Sequence, residues 1–223
     1  MNAGDSNAVC LNAGDVALQR SFPTVMVPRR EPVAPMQAAG ERLLIGENGV
    51  FIEIDLPWLS VVRRVAHYTV PTAIPYGRVV ESTVLRCGTV PPELIGEFVA
   101  MARLAHPLET GAWIVWNVET KQFRLAPVRV LSQGTGSLKY ERPALLAGEL
   151  RVLDCHSHGA HPAFFSSTDD EDDRHETKLA FVVGNCASSV PSMAMRLCAK
   201  GIFEDVERVP SSWYAAAKLK EAA

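Results

Sequence analysis

The hydrophobic period of the chain changes near residue 89, and that change constrains the fold more than any other feature. Upstream, "RLLIG-ENG-VFIEI" carries two β-type runs around Asn48-Gly49, a strong hairpin signal. "GRVVESTVLRCG" alternates in the same way, while "WLSVVRRVA" fits a strand or a short helix. Downstream, "TVPPELIGEFVAMARLAHP" puts Leu94, Ile95, Phe98, Val99, Met101, Ala102 and Ala105 on one stripe with helical spacing. Thr89 is a candidate cap, Pro91 and Pro92 suit a first turn, and Pro107 ends the helix.

After that helix the strand signals return. Ala112 to Val118 and Gln122 to Val130 read as strands around Glu119-Thr120-Lys121, and "SQGTGS" reads as a loop. "ELRVLDCHSH" is a strand, "DDEDDRHETK" a short charged helix and "LAFVVGNC" a buried strand. "SMAMRLCAKGIFEDVERV" supplies one or two more strands, and "SSWYAAAKLKEAA" a short closing helix. The expected organisation is a flexible N-terminal arm at 1–38, a small β-rich region at 39–88 and an α+β domain with a mixed sheet at 89–223. The arm is inferred from proline-rich, aperiodic "VPRREPVAPMQAAG".

Bulk properties remove several function classes. The 223 residues are 48% hydrophobic and 21% charged, ordinary values for a globular protein. A formal charge of −3 gives no general field that would attract nucleic acid. No apolar run approaches the roughly 20 residues of a membrane helix. The start, "MNAGDSNAV", lacks the basic and apolar regions of a secretion signal. Five scattered cysteines without a CxxC pair suit reduced thiols and a cytoplasmic location.

The chemistry concentrates in "DCHSHGAHPAFFSSTDD", residues 154–170, which holds three of the six histidines. Side chains of a strand alternate, so His156 and His158 share a face about 7 Å apart along the strand. A catalytic zinc ion takes three protein ligands and keeps one open position. Asp169 falls in the first turn of the acidic helix, with Ser167 or Thr168 as candidate caps and a favourable helix terminus beneath it. The other acids of that helix, Asp170, Glu171, Asp172 and Asp173, read as solvated surface. Cys155 and Ser157 fall on the face opposite the histidines, and Trp113 and Trp116 read as core. His161 reads as a loop histidine. His175-Glu176 does not begin an H-E-x-x-H motif, because Leu179 stands where the second histidine belongs.

Written out, His156-Ser157-His158, seven residues, Ser166, two residues, Asp169 is H-S-H-x7-S-x2-D. This resembles the JAMM motif of the JAB/MPN zinc metalloproteases. The resemblance implies one Zn2+ per chain on His156, His158 and Asp169, with a water at the fourth position as nucleophile. It implies that Ser166 steadies the oxyanion and that an upstream glutamate acts as general base. "HPLETGAWIV" is similar to the lead-in of bacterial JAB domains and puts Glu109 in that slot. Glu93 and Glu97 lie inside the helix, and Glu119 lies in a hairpin turn. The family usually has proline after its second histidine, whereas this chain has Gly159. The implied reaction is hydrolysis of a peptide or isopeptide bond, at the C-terminal tail of a ubiquitin-like protein. The β-rich start, together with "FFSSTDDEDD" and "FVVGN", is similar to the PRTRC system protein A family of plasmid and mobile-element cassettes. That resemblance implies a ThiF-like (E1-like) partner. The rival expectation is a JAB-fold scaffold without catalysis.

Overall fold

In the computed structural model, residues 12–70 and 72–218 are described, and they form two units dividing between Arg86 and Cys87. The first comprises α1 (Ala13–Ser21), β1 (Thr24–Met26), β2 (Gly40–Gly46), β3 (Gly49–Asp55), β4 (Leu59–Ala66) and β5 (Ser82–Leu85). Its strands form one sheet in chain order, β1 parallel to β2 and the rest antiparallel. The hairpin forms where expected, pairing Gly46 with Gly49. Asn48 does more than turn the chain: its side chain accepts from Val79 N at 3.0 Å and donates to Val79 O at 2.9 Å. Gly49 takes the positive φ, at 137°. The ambiguous "WLSVVRRVA" is a strand, because Leu59 and Val61 alternate into the core.

Within the described part of the expected loose arm, α1 and β1 are regular elements, while 27–39 carry neither helix nor strand. Asn12 caps α1 by accepting from Asp15 N at 2.9 Å. β1 is held beside β2 by burial of Val27 against Leu44, Phe51 and Val79. Its aperiodic sequence carried no strand signal, because a three-residue strand is too short to show alternation. The part of the arm before residue 12 lies outside the described residues.

The second unit comprises α2 (Pro92–Ala105), β6 (Gly111–Asn117), β7 (Phe123–Pro127), β8 (Arg129–Gln133), β9 (Leu138–Glu141), β10 (Glu149–Ser157), α3 (Ser167–Asp173), β11 (Thr177–Gly184), β12 (Ser192–Ala199), β13 (Ile202–Asp205) and α4 (Ser211–Ala217). A six-stranded sheet runs β13-β12-β11-β10-β6-β7, and β8-β9 form a separate ribbon. The architecture is mixed α+β, as expected. α2 buries Ile95, Phe98, Val99 and Ala102 from the anticipated stripe. Thr89 does not cap it; the N-cap is Pro91, with no side-chain hydrogen bond. The strand expected to reach Val130 breaks after Pro127, on the edge strand β7 where a missing N–H is tolerated.

Phe181 on β11 packs edge-on against Phe98 of α2 and Trp213 of α4, with centroids at 6.3 Å and 5.2 Å. That fixes one face of the sheet as apolar core. β10 and β11 are parallel, so a crossover must join them. α3 lies in that crossover, which carries the Ser166-to-Asp169 segment back past the end of β10. Among the described residues, no helix is long and apolar enough to cross a membrane.

Candidate metal centre

β10 ends at Ser157, and its alternation sends His156 and His158 to one face. Their Nε2 atoms lie 3.1 Å apart, and His156 Nε2 lies 3.3 Å from Asp169 Oδ1. One donor atom from each of the three falls within 4.8 Å of the others. A tetrahedral ion with bonds near 2.0 Å requires donors about 3.3 Å apart, so the donor set and spacing fit zinc. His158 Nδ1 lies 3.2 Å from Pro162 O. A proton on Nδ1 there leaves the Nε2 lone pair free for an ion.

The electrostatics agree with that fit. Burial pushes the pKa of His156 down, against the opposing pull of Asp169. Burial also lowers His158, opposed by the Pro162 carbonyl. Both imidazoles are thereby held toward the neutral, ligating form. Burial acts to raise the Asp169 carboxyl, but His156 and the hydrogen bonds from Ser166 outweigh it and hold it below the usual range.

Ser166 is the N-cap of α3, rather than Ser167 or Thr168. Its backbone N and its Oγ donate to Asp169 Oδ2 at 2.7 Å and 2.6 Å, while Asp169 N donates to Ser166 Oγ at 3.2 Å. This capping box engages one carboxylate oxygen and leaves Oδ1 toward His156. In this structure, then, the Ser166 hydroxyl orients a prospective ligand.

Glu109 lines the same cavity as His156, His158, Ser166 and Asp169, a space of about 540 Å³. It is 8% exposed, and burial plus the Asp169 charge push its pKa up to about 7. Two contacts hold its neighbourhood against the end of β10. Thr110 and Ser157 exchange hydrogen bonds, Thr110 N to Ser157 Oγ at 3.0 Å and Ser157 N to Thr110 O at 2.9 Å. Gly159 has φ 52°, and a Cβ there would lie 2.1 Å from Pro107 O. Proline, locked near φ −65°, cannot take this backbone, which is why glycine stands where the motif usually has proline. His161 is exposed at the rim of the cavity.

One expectation for the acidic helix is corrected. Asp173 is not solvated surface but 4% exposed, 2.5 Å from Lys178 Nζ and 2.9 Å from Arg196 Nη2. Lys178 also meets Asp154 at 2.7 Å and Glu176 at 3.2 Å. Burial alone would lower Lys178, but Asp154 and Asp173 raise it above its ordinary value, so it stays charged. Asp170 is bound by Arg196 at 2.5 Å. Lys178 was read as the end of the charged helix segment, but α3 stops at Asp173 and Lys178 stands on β11. Its place directly before the apolar run "LAFVVG" is a usable signal, since a buried cation requires acidic partners. Tyr140 of β9, also in the cavity wall, is pushed up to about 12 by burial and Asp154. Cys155 and Ser157 are buried away from the cavity, and Trp113 and Trp116 are core, as read.

Comparison with known proteins follows this division. Residues 12–86 match DUF2016, a domain of unknown function. No curated protein matches the chain. Among solved structures, the solution structure of protein DSY2949 from Desulfitobacterium hafniense is 18% identical. That match covers 52% of this chain and 86% of that one, with a TM-score of 0.38. Residues 91–198, within the second unit, match the family of prokaryotic homologs of the JAB domain.

Proposed function

We propose that the second unit is a zinc-dependent hydrolase of a peptide or isopeptide bond. The observation that carries this reading is the convergence of Glu109, 47 residues before His156 in sequence, on the cavity of the His156–His158–Asp169 triad. His156, His158 and Asp169 would hold the ion. Zinc, when bound, supplies Lewis acidity that makes water acidic near neutral pH and polarises a carbonyl. Glu109, poised near 7, takes a proton from the attacking water and returns it to the leaving amine. Partial burial of these groups strengthens their interactions relative to bulk water.

The substrate in this reading is the C-terminal tail of a ubiquitin-like protein, and the partner is a ThiF-like protein of the same mobile-element cassette. Support comes from the motif H-S-H-x7-S-x2-D and from the similarity of the chain's layout to PRTRC system protein A. One observation favours the alternative of a non-catalytic binding module: the Ser166 hydroxyl proton is committed to Asp169 rather than free for an oxyanion.

The deciding experiment measures zinc in the purified chain and chelator-sensitive cleavage of ubiquitin-like protein fusions by mass spectrometry. The hydrolase reading expects bound zinc and cleavage that Glu109→Gln abolishes. Bound zinc with no cleavage supports the binding module, and absence of zinc overturns the metal reading.

A further inference from the structure

We infer that Arg196 is a positioning residue for the metal centre: it latches α3 to the sheet and so holds Asp169 in place before any ion arrives. The inference rests on the metal reading above and adds a residue outside the motif. α3 has only seven residues, too few to be stable alone. Its placement must come from tertiary contacts.

Arg196 supplies them at three points. It sits on β12, opposite Ala180 of β11, and is 3% exposed. Its guanidinium lies between two rings, 4.1 Å from the Phe165 centroid and 4.2 Å from that of Phe203. Phe165 immediately precedes Ser166, the N-cap. Nη1 donates to Asp170 Oδ1 at 2.5 Å, next to the prospective ligand, and Nη2 donates to Asp173 Oδ2 at 2.9 Å at the helix end. One side chain thus grips the segment before the helix, its first turn and its last residue. The planar fork is what permits this, and a lysine cannot reproduce it.

Lys178 makes the second rung. Asp169 and Asp173 are four residues apart and share a helix face. Asp169 faces His156 while Asp173 faces Lys178. The lower rung carries a cation of the protein's own, so the register of α3 on the sheet does not wait for a metal. Arg196 is the testable member, because Lys178 still neutralises Asp173 when Arg196 is removed.

The test uses the full chain with Arg196→Met, Arg196→Lys and Asp170→Ala. Asp170 is half exposed, so its removal spares the core. Zinc affinity is read by competition with a chromophoric chelator, and coordination geometry by the visible absorption of the cobalt-loaded protein. Amide exchange across α3 is read in chelator-treated protein. Expected are a fall in zinc affinity of ~10–100-fold for Arg196→Met, a smaller fall for Asp170→Ala and partial rescue by Arg196→Lys. Faster exchange confined to α3 should accompany these, with altered cobalt bands. Unchanged zinc affinity and cobalt spectrum in both Arg196→Met and Asp170→Ala overturn the inference. If Arg196→Met does not fold, Asp170→Ala alone decides. If the wild-type chain takes up no zinc, the metal reading fails, and unchanged α3 exchange in Asp170→Ala then overturns the latch as well.

Discussion

Ser157 Oγ accepts a hydrogen bond from the backbone N of Thr110 at 3.0 Å. This bond joins the end of the strand that carries the two histidines to the residue after Glu109. Ser157 is fully buried and Thr110 is 7% exposed, so no solvent replaces the bond when it is lost. Ser157→Ala is expected to destabilise the protein by about 1–3 kcal/mol, the cost of orphaning a buried donor. Urea unfolding checks this. A proportionally larger loss of any hydrolytic activity is expected, because Glu109's neighbour keeps only one of its two hydrogen bonds to the histidine strand, Ser157 N to Thr110 O.

Gly159 poses a sharper question, since proline is the residue the motif usually has there. Its φ of 52° and the 2.1 Å approach of a Cβ to Pro107 O make any side chain costly. Gly159→Ala is expected to lose more than ~1 kcal/mol, and Gly159→Pro to lose more than Gly159→Ala, by thermal melting. If Gly159→Pro melts with the wild type, the loop does not have this backbone.

Glu109 connects the site to pH. Its carboxyl is raised from the ordinary 4.5 to about 7 by burial and by Asp169, so the folded chain holds this proton more tightly than the unfolded chain. The stability gained is complete below the unfolded pKa and is lost as pH rises through about 7. In chelator-treated protein, Glu109→Gln is therefore expected to be more stable than wild type at about pH 8, with the difference shrinking toward about pH 5. Denaturant midpoints across that range check the sign. A difference of opposite sign would mean that Glu109 is charged and compensated by a donor.

How much of this was legible in sequence depends on the distance over which each feature is set. The shared face of His156 and His158 follows from strand alternation and is local information, whereas Asp169 was singled out among the acids of its helix only by the motif spacing that the resemblance supplied. The helical stripe of α2 and the Asn48-Gly49 hairpin are local too. Asp173 was misread because a residue two positions from a solvated acid looks the same in sequence. Only the arrival of β11 and β12 brings Lys178 and Arg196 to it. β1 and β9 were missed, and β8 was read only in part as the end of a longer strand, for a related reason. Each is three to five residues long and is held by partners rather than by its own pattern. The role of Ser166 shows the same limit: spacing places it near the metal residues but does not say which atom takes its proton.

Ser166→Ala separates the two roles open to that hydroxyl. As N-cap it contributes about 1 kcal/mol to α3. As the donor to Asp169 Oδ2 it fixes which carboxylate oxygen faces His156. If orientation is its work, Ser166→Ala weakens zinc binding by ~10–100-fold and lowers the unfolding midpoint modestly. Hydrolysis measured at saturating zinc then falls little. If its work is to steady an oxyanion, zinc affinity stays near wild type while kcat falls by ~100-fold or more at saturating zinc. The capping box observed here predicts the first outcome, and zinc titration alongside turnover on the same preparation distinguishes it from the second.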